Sequence, residues 1–281
     1  MTQVFKLKGL YNFYSSEFQN KNIEIADLDW LVCEVLKIKR AEIVSKQEIT
    51  KKEFKQIIKL ANIRLKGKPV DRILGWREFY GRKFIVGGGV LSPRSETEIL
   101  CETVLKNSFK NSKILEIGTG SGVISITLKK ENELFDIIAT DISSRALRNA
   151  KKNAKVLQAS ISFKKSFVFN DISTEEKFDV IVSNPPYIPT RDILDLDKEV
   201  VRFDPKLALD GGADGLFFYK EIIENACKYL KSGGKIFFEI GIGQSEDVKK
   251  MLEKEFCDIQ IIKDYSGIDR VIWAKKKEEV C

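Results

Sequence analysis

The sequence predicts an α/β protein in which a mostly parallel sheet carries helices on both faces and is preceded by a small all-helical domain. Three observations predict it. From Ser95 onward, short apolar runs alternate with segments of helical periodicity, the pattern of strand–helix–strand units. Ahead of that region only helical periodicity is found. A glycine-rich loop, Gly118-Thr119-Gly120-Ser121-Gly122, sits between an apolar run and a helical one, where α/β sheets bind ligands.

In chain order, Ile23 to Ile38 carries Leu28, Leu31, Val32, Val35 and Leu36 at helical spacing, and Lys51 to Leu65 has the same periodicity. Val86-Gly87-Gly88-Gly89-Val90 reads as a short β-hairpin joining two domains. The expected divisions are a helical domain over 1–80, a hairpin linker over 81–93 and the α/β domain over 94–281. In the latter, Lys113 to Ile117 reads as a strand, Val123 to Lys130 as the start of a helix, and Asp136 to Thr140 as a strand ending at Asp141. Ser144 to Leu157 places Leu147, Ala150 and Ala154 on one helical face. Further strands are expected at Ser166–Phe169, Phe178–Ser183, Lys235–Glu239, Ile259–Lys263 and Arg270–Ala274. The last two are close enough in sequence to pair antiparallel. No internal repeat or low-complexity tract is present.

Composition narrows the classes. The 281 residues suffice for one large core and a smaller domain. Five cysteines, Cys33, Cys101, Cys227, Cys257 and Cys281, are odd in number and form no C-x-x-C pair, which argues against structural zinc and a disulfide framework. No apolar run has the form of a signal peptide or a membrane span, so a cytoplasmic, membrane-free protein is the expectation, with a monomer as the default. The net charge of +7 permits nucleic acid or an acidic protein as partner, but the lysines are scattered and read mostly as solvated helix faces.

The chemistry concentrates in two motifs. Asn184-Pro185-Pro186-Tyr187 follows the apolar run Phe178-Asp179-Val180-Ile181-Val182, hence the C-terminal end of a buried strand. Each proline fixes its own φ and lacks an N–H, and Pro185 holds Asn184 extended. Such a stiff corner presents the Asn184 side-chain oxygen and the Pro185 carbonyl as two acceptors suited to a planar NH2 group, with the Tyr187 ring as a face for packing. The plainer alternative is a turn that merely ends a strand. The glycine loop lets backbone approach a ligand at a helix N-terminus. Its spacing departs from G-x-G-x-x-G and lacks the Lys-Ser/Thr of a P-loop, so with Asp141 placed to reach ribose hydroxyls, an adenosine ligand without phosphates fits best. The plainer alternative here is a structural turn. With no histidine, the usual general base is missing, and nothing in either motif requires a metal.

In order and wording these motifs resemble the Rossmann-like S-adenosylmethionine-dependent methyltransferases. Further segments are similar to the release factor glutamine methyltransferases: Arg64 to Gly75, Arg77-Glu78-Phe79-Tyr80-Gly81, Leu91 to Glu98, Glu199 to Gly212, and Phe238-Glu239-Ile240-Gly241. The similarity runs from about Arg64 to Arg270. Ser92 and Ser95 depart from the family pattern, which has an apolar residue and a proline there. The resemblance implies a seven-stranded methyltransferase domain, S-adenosyl-L-methionine as cofactor, and transfer of its methyl group to the side-chain nitrogen (N5) of the glutamine in the Gly-Gly-Gln motif of peptide chain release factors.

It also implies that Asn184, Pro185, Pro186 and Tyr187 form the catalytic corner. Gly118, Thr119, Gly120, Ser121 and Gly122 would line the methionine and ribose, Asp141 would accept from the ribose, Asp171 would accept from the adenine amino group with Ile172 near the ring, and Asn184 would also contact the cofactor. For Asp171 a helix cap stands as the alternative. For Glu116 and Arg94, family positions near the site, an ion pair bracing the loop does. The helical domain would dock the protein substrate. Two other functions use the same residues: N6-methylation of adenine in nucleic acid, whose exocyclic amine is also a planar NH2, and a noncatalytic adenosylmethionine-binding module. The mixed charges of the N-terminal domain argue against direct nucleic-acid binding.

Overall fold

The computed structural model describes residues 4–278 and divides into two compact units, through Trp76 and from Arg77 on. The first unit runs β1 (Val4–Lys6), α1 (Leu7–Gln19), α2 (Ile25–Leu36), β2 (Glu48–Thr50), α3 (Lys51–Leu65) and α4 (Val70–Leu74). β1 and β2 pair antiparallel. The helix α3 begins where predicted because Thr50 caps it: the Glu53 N–H donates to the Thr50 hydroxyl and the Glu53 carboxylate accepts from the Thr50 backbone. Leu10, Phe18, Leu28, Leu31, Val32 and Ile57 fill this unit's core.

A hairpin of β3 (Trp76–Phe79) and β4 (Arg82–Ile85) comes next. It lies upstream of the glycine-rich segment at which it was expected. Its turn is Tyr80-Gly81, at φ of +50° and +69°, the backbone twist that matches paired strands. Residues 86–90 form no strand; the Gly87 N–H donates to Asn149 Oδ1 instead.

The second unit continues with α5 (Thr97–Asn107), β5 (Lys113–Ile117), α6 (Val123–Glu131), β6 (Asp136–Asp141), α7 (Ser144–Leu157), β7 (Ser162–Lys165), β8 (Phe178–Ser183), α8 (Lys198–Phe203), α9 (Phe217–Ala226), β9 (Leu230–Glu239), α10 (Ser245–Leu252), β10 (Phe256–Lys263) and β11 (Asp269–Lys276). Its seven strands lie in the order β10-β11-β9-β8-β5-β6-β7. All neighbours are parallel except that β11 runs antiparallel to both β9 and β10. One core fills the space where α9 and α10 pack, with Ile181, Tyr219, Ile236 and Phe238; the other lies beneath α5 and α6, with Leu100, Ile126, Val180 and Phe237. Alternate residues of β8 therefore enter opposite cores, which is why that strand reads as an unbroken apolar run.

The chain proceeds from β5 outward to β6 and β7, then returns to place β8 on the other side of β5. The strand order reverses between β5 and β8, the point where α/β sheets open a crevice at their C-terminal ends. One expected strand, Ser166–Phe169, is a turn. β7 ends at Lys165, and the Ser166 hydroxyl closes that turn by donating to the Val168 carbonyl and accepting from the Asp171 N–H. Phe169 is buried by stacking on Tyr229 at 4.3 Å rather than by strand pairing.

The described cysteines are free thiols, and Cys281 lies outside the described residues. Among the described residues no helix is long and apolar enough to cross a membrane.

Candidate active site

A cavity of about 300 Å³ opens at the C-terminal ends of β5, β6 and β8. The loop after β5 forms one wall. Gly118, Thr119, Gly120 and Ser121 line it, and the Gly118 and Thr119 N–H groups both donate to the Thr140 carbonyl, tying the loop to β6. Gly118 and Gly120 have φ of +77° and +56°, and a Cβ at either would meet nothing within 4 Å. Glycine here adopts the positive φ of the loop and leaves the cavity side open. Gly122 has a different role. A Cβ there would stand 2.9 Å from Ile126 Cδ1 and 3.1 Å from the Ala150 Cβ, so this glycine lets α6 pack on α7 and is not in the cavity wall.

Asp141 ends β6 in the wall. One carboxylate oxygen accepts from the Gly120 N–H at 2.9 Å, the other from the Ser143 N–H at 2.8 Å. Burial raises its pKa, while those two N–H groups act in the opposite direction. Beside it, Ile142 is 42% exposed. Below the loop, Glu116 is wholly buried; its Oε2 accepts from the Thr119 hydroxyl at 2.6 Å and the Ser125 N–H at 3.2 Å, and its Oε1 has no partner among the described residues. Burial pushes its carboxyl up to about 7. Glu116 braces the loop from beneath, though not by pairing with Arg94: Arg94 pairs with Asp204 at 2.8 Å. The backbone of Ser92, in the same wall, donates to that Asp204.

Asp171 and Ile172 lie outside the cavity. Asp171 is exposed and Ile172 is buried in the core; the residues at the corresponding strand end are Ser166, Phe167 and Val168, because β7 stops earlier than its apolar sequel suggested. Phe167 and Val168 add apolar surface to the cavity beside Ile142.

The opposite wall is the corner after β8, where Asn184, Pro185 and Pro186 line the cavity. Neither Asn184 Oδ1 nor the Pro185 carbonyl accepts a hydrogen bond from a described residue, whereas Asn184 Nδ2 donates to Thr97 Oγ1 at 3.2 Å and Thr97 Oγ1 donates to Glu239 Oε2 at 2.6 Å. Glu239 is buried, which pushes its carboxyl up to about 7. Tyr187 lies outside the wall. Its ring packs where a Cβ on Gly241 would stand 2.9 Å from Cδ2, and its carbonyl accepts from Gln244 Nε2 at 2.9 Å. A Cβ on Gly211 would approach the Tyr187 Cα to 2.8 Å, and one on Gly215 the Tyr187 carbonyl oxygen to 2.4 Å. Tyr187 therefore braces the corner from behind, with its ring half-buried. Thr97 and Glu239 were not anticipated as site residues; the signal for Glu239 was a carboxylate closing an apolar strand.

These features test the fit of an adenosine-type cofactor. The side-chain-free backbone at Gly118 and Gly120, the Asp141 acceptor and the apolar Ile142, Phe167 and Val168 match a ligand that carries a ribose and a flat apolar ring. The sheet order with its antiparallel β11 and the crevice at the switch point define an α/β methyltransferase. The comparisons agree. Residues 93–213 match the family model described as "Methyltransferase small domain", and residues 10–75 match "PrmC N-terminal domain". A methyltransferase from Pyrococcus furiosus has the same fold, with a TM-score of 0.53 at 21% identity over 70% of this chain and 90% of its own. A 16S rRNA N2 G1207 methyltransferase of T. thermophilus, solved with AdoMet and guanosine, gives 0.52 at 16% identity over 72% of this chain and 50% of its own. Two curated relatives are named "Release factor glutamine methyltransferase": that of Bacillus cereus is 38% identical over 87% of this chain and 90% of its own, and that of Thermodesulfovibrio yellowstonii 39% identical over 100% of both. The chain belongs to the release factor glutamine methyltransferase family.

Proposed function

We propose that this protein transfers a methyl group from S-adenosyl-L-methionine to the side-chain amide nitrogen (N5) of the glutamine in the Gly-Gly-Gln motif of peptide chain release factors. The observation that carries it is the corner after β8: two acceptors line the cavity with no donor from the described residues, on a backbone stiffened by two prolines and clamped by Gln244. An amide NH2 supplies the two donors such a pair lacks.

An amide nitrogen is a poor nucleophile because its lone pair is delocalised into the carbonyl. Asn184 Oδ1 and the Pro185 carbonyl accept its two hydrogens, fix its orientation, and favour pyramidal geometry at nitrogen as the bond to carbon forms. The cofactor, when bound, would supply an electrophilic methyl on a sulfonium, its S–C bond breaking as the N–C bond formed, and the nitrogen's surplus proton would leave to water. Gly118 to Ser121 and Asp141 would hold the cofactor at the opposite wall. Positioning does most of the work. The helical unit, matched by the PrmC N-terminal domain, docks the release factor.

The test is transfer of labelled methyl from S-adenosylmethionine to three acceptors: a release factor, that factor with its motif glutamine changed to alanine, and unmethylated DNA and RNA. Label on the intact factor alone is expected. Label on nucleic acid would replace this function with adenine methylation, since an exocyclic amine presents the same two donors.

A further inference from the structure

The corner works only if the Asn184 carboxamide faces the right way. Turned over, it would present NH2 to an incoming NH2, and two donors repel. Nothing local decides this, because an amide is nearly the same shape both ways round. Two residues far away in sequence decide it. Asn184 Nδ2 lies 3.2 Å from Thr97 Oγ1, at the start of α5, and Thr97 Oγ1 lies 2.6 Å from Glu239 Oε2, at the end of β9. Thr97 and Glu239 are 3% exposed each, so no water competes for these contacts.

We propose that Glu239 and Thr97 are positioning residues that set the polarity of the Asn184 carboxamide, and with it the ability of the corner to accept a glutamine NH2. An ionised carboxylate can only accept, so Thr97 must donate its single proton to Glu239. The lone pairs of Thr97 then face Asn184, which must donate through its NH2. Asn184 Oδ1 is thereby left for the cavity. The direction of each hydrogen bond fixes the next, as in any chain that alternates donor and acceptor. Protonation of Glu239 removes the constraint, because a carboxylic O–H can donate to Thr97, Thr97 can donate to Asn184 Oδ1, and the amide can turn over.

The inference rests on the glutamine function proposed above. The groups facing Glu239 are Glu96 ahead of α5, Cys101 within it, Tyr187 of the corner, Tyr219 of α9 and Arg270 of β11; among its neighbours Glu96 raises its pKa, and Arg270, Thr97 and Asn184 lower it. Burial outweighs them and brings the carboxyl to about 7. With no histidine in the chain, only Glu116 is also brought to about 7 at the site.

The experiment uses the full chain with a release factor. In the wild type, kcat falls about tenfold between pH 8 and pH 6, as expected for one required ionised group of that pKa. Glu239→Gln lowers kcat and flattens the profile, whereas Glu116→Gln keeps the profile's shape. Thr97→Val lowers kcat about tenfold with little change in cofactor affinity, Thr97→Ser restores it, and Thr97→Val adds nothing further in an Asn184→Ala background, because Thr97 acts only through Asn184. A structural role for Thr97 would instead give multiplying losses. A substrate-independent readout is the hydrogen exchange of the Asn184 side-chain amide by 15N NMR, slow in the wild type and fast in Thr97→Val. Wild-type kcat in Thr97→Val with unchanged amide exchange would overturn the relay. If the wild type methylates no glutamine yet the amide exchange responds as stated, the relay stands and the substrate is what fails.

Discussion

The two loops that face each other across the cavity are built on opposite principles. After β5 the wall is backbone: Gly118 and Gly120 leave space, and the loop is held by N–H groups donating to the Thr140 carbonyl. After β8 the wall is a proline corner braced by Tyr187 and Gln244, and on the proposed reading its two acceptors, Asn184 Oδ1 and the Pro185 carbonyl, carry the specificity. A glycine loop adapts to a large cofactor and suits any methyl acceptor. A corner of two fixed acceptors selects for a group that brings two donors, as a planar NH2 does. Affinity for cofactor and rate of transfer should therefore be separable by mutation.

The largest effect is expected at the corner. Asn184→Ala should cut kcat at least about a hundredfold, the scale for losing one preorganised polar group, while cofactor affinity measured by calorimetry changes little. A comparable loss of cofactor affinity would erase the division between the walls. Asp141→Ala should do the reverse, weakening cofactor binding about tenfold or more, since it removes a charged acceptor that also anchors Gly120 and Ser143, with kcat at saturating cofactor less affected.

Gly122→Ala should destabilise the fold by ~1–3 kcal/mol in urea unfolding, because its Cβ would meet Ile126 and Ala150 at a φ of +84°. The last effect expected is a pH dependence of stability. Glu116 binds its proton more tightly folded than unfolded, so the stability it contributes is complete below the ordinary carboxylate range and is lost as pH rises through about 7. Relative to the wild type, Glu116→Gln should gain stability between pH 5 and pH 8, by up to about 3 kcal/mol. Parallel stability curves would show that Glu116 titrates normally.

Sequence patterns were most legible where one face or both faces of an element are buried. Lys113–Ile117, Phe178–Ser183, Lys51–Leu65 and Ser144–Leu157 fall where their periodicity placed them. β7 was missed because it is an edge strand, largely exposed, so its residues Ser162-Phe163-Lys164-Lys165 need no apolar pattern; the apolar residues beyond it are buried in a turn. The same displacement is why Phe167 and Val168, rather than Asp171 and Ile172, line the cavity. The hairpin was displaced because Tyr80 adopts positive φ without being glycine. The corner was legible since proline constrains its own neighbours. The Thr97–Glu239 contact was not, because its partners are separated by 142 residues and only the fold brings them together.

The central claim is that the corner holds an amide nitrogen by both hydrogens, and the most direct test is tandem mass spectrometry of a release factor after exhaustive reaction. The expected product carries one methyl, on the side-chain nitrogen of the Gly-Gly-Gln glutamine, and stops there, since the methylated amide retains only one of the two donors the corner requires. A methyl on any other residue, or a second methyl on the same nitrogen, would contradict the account.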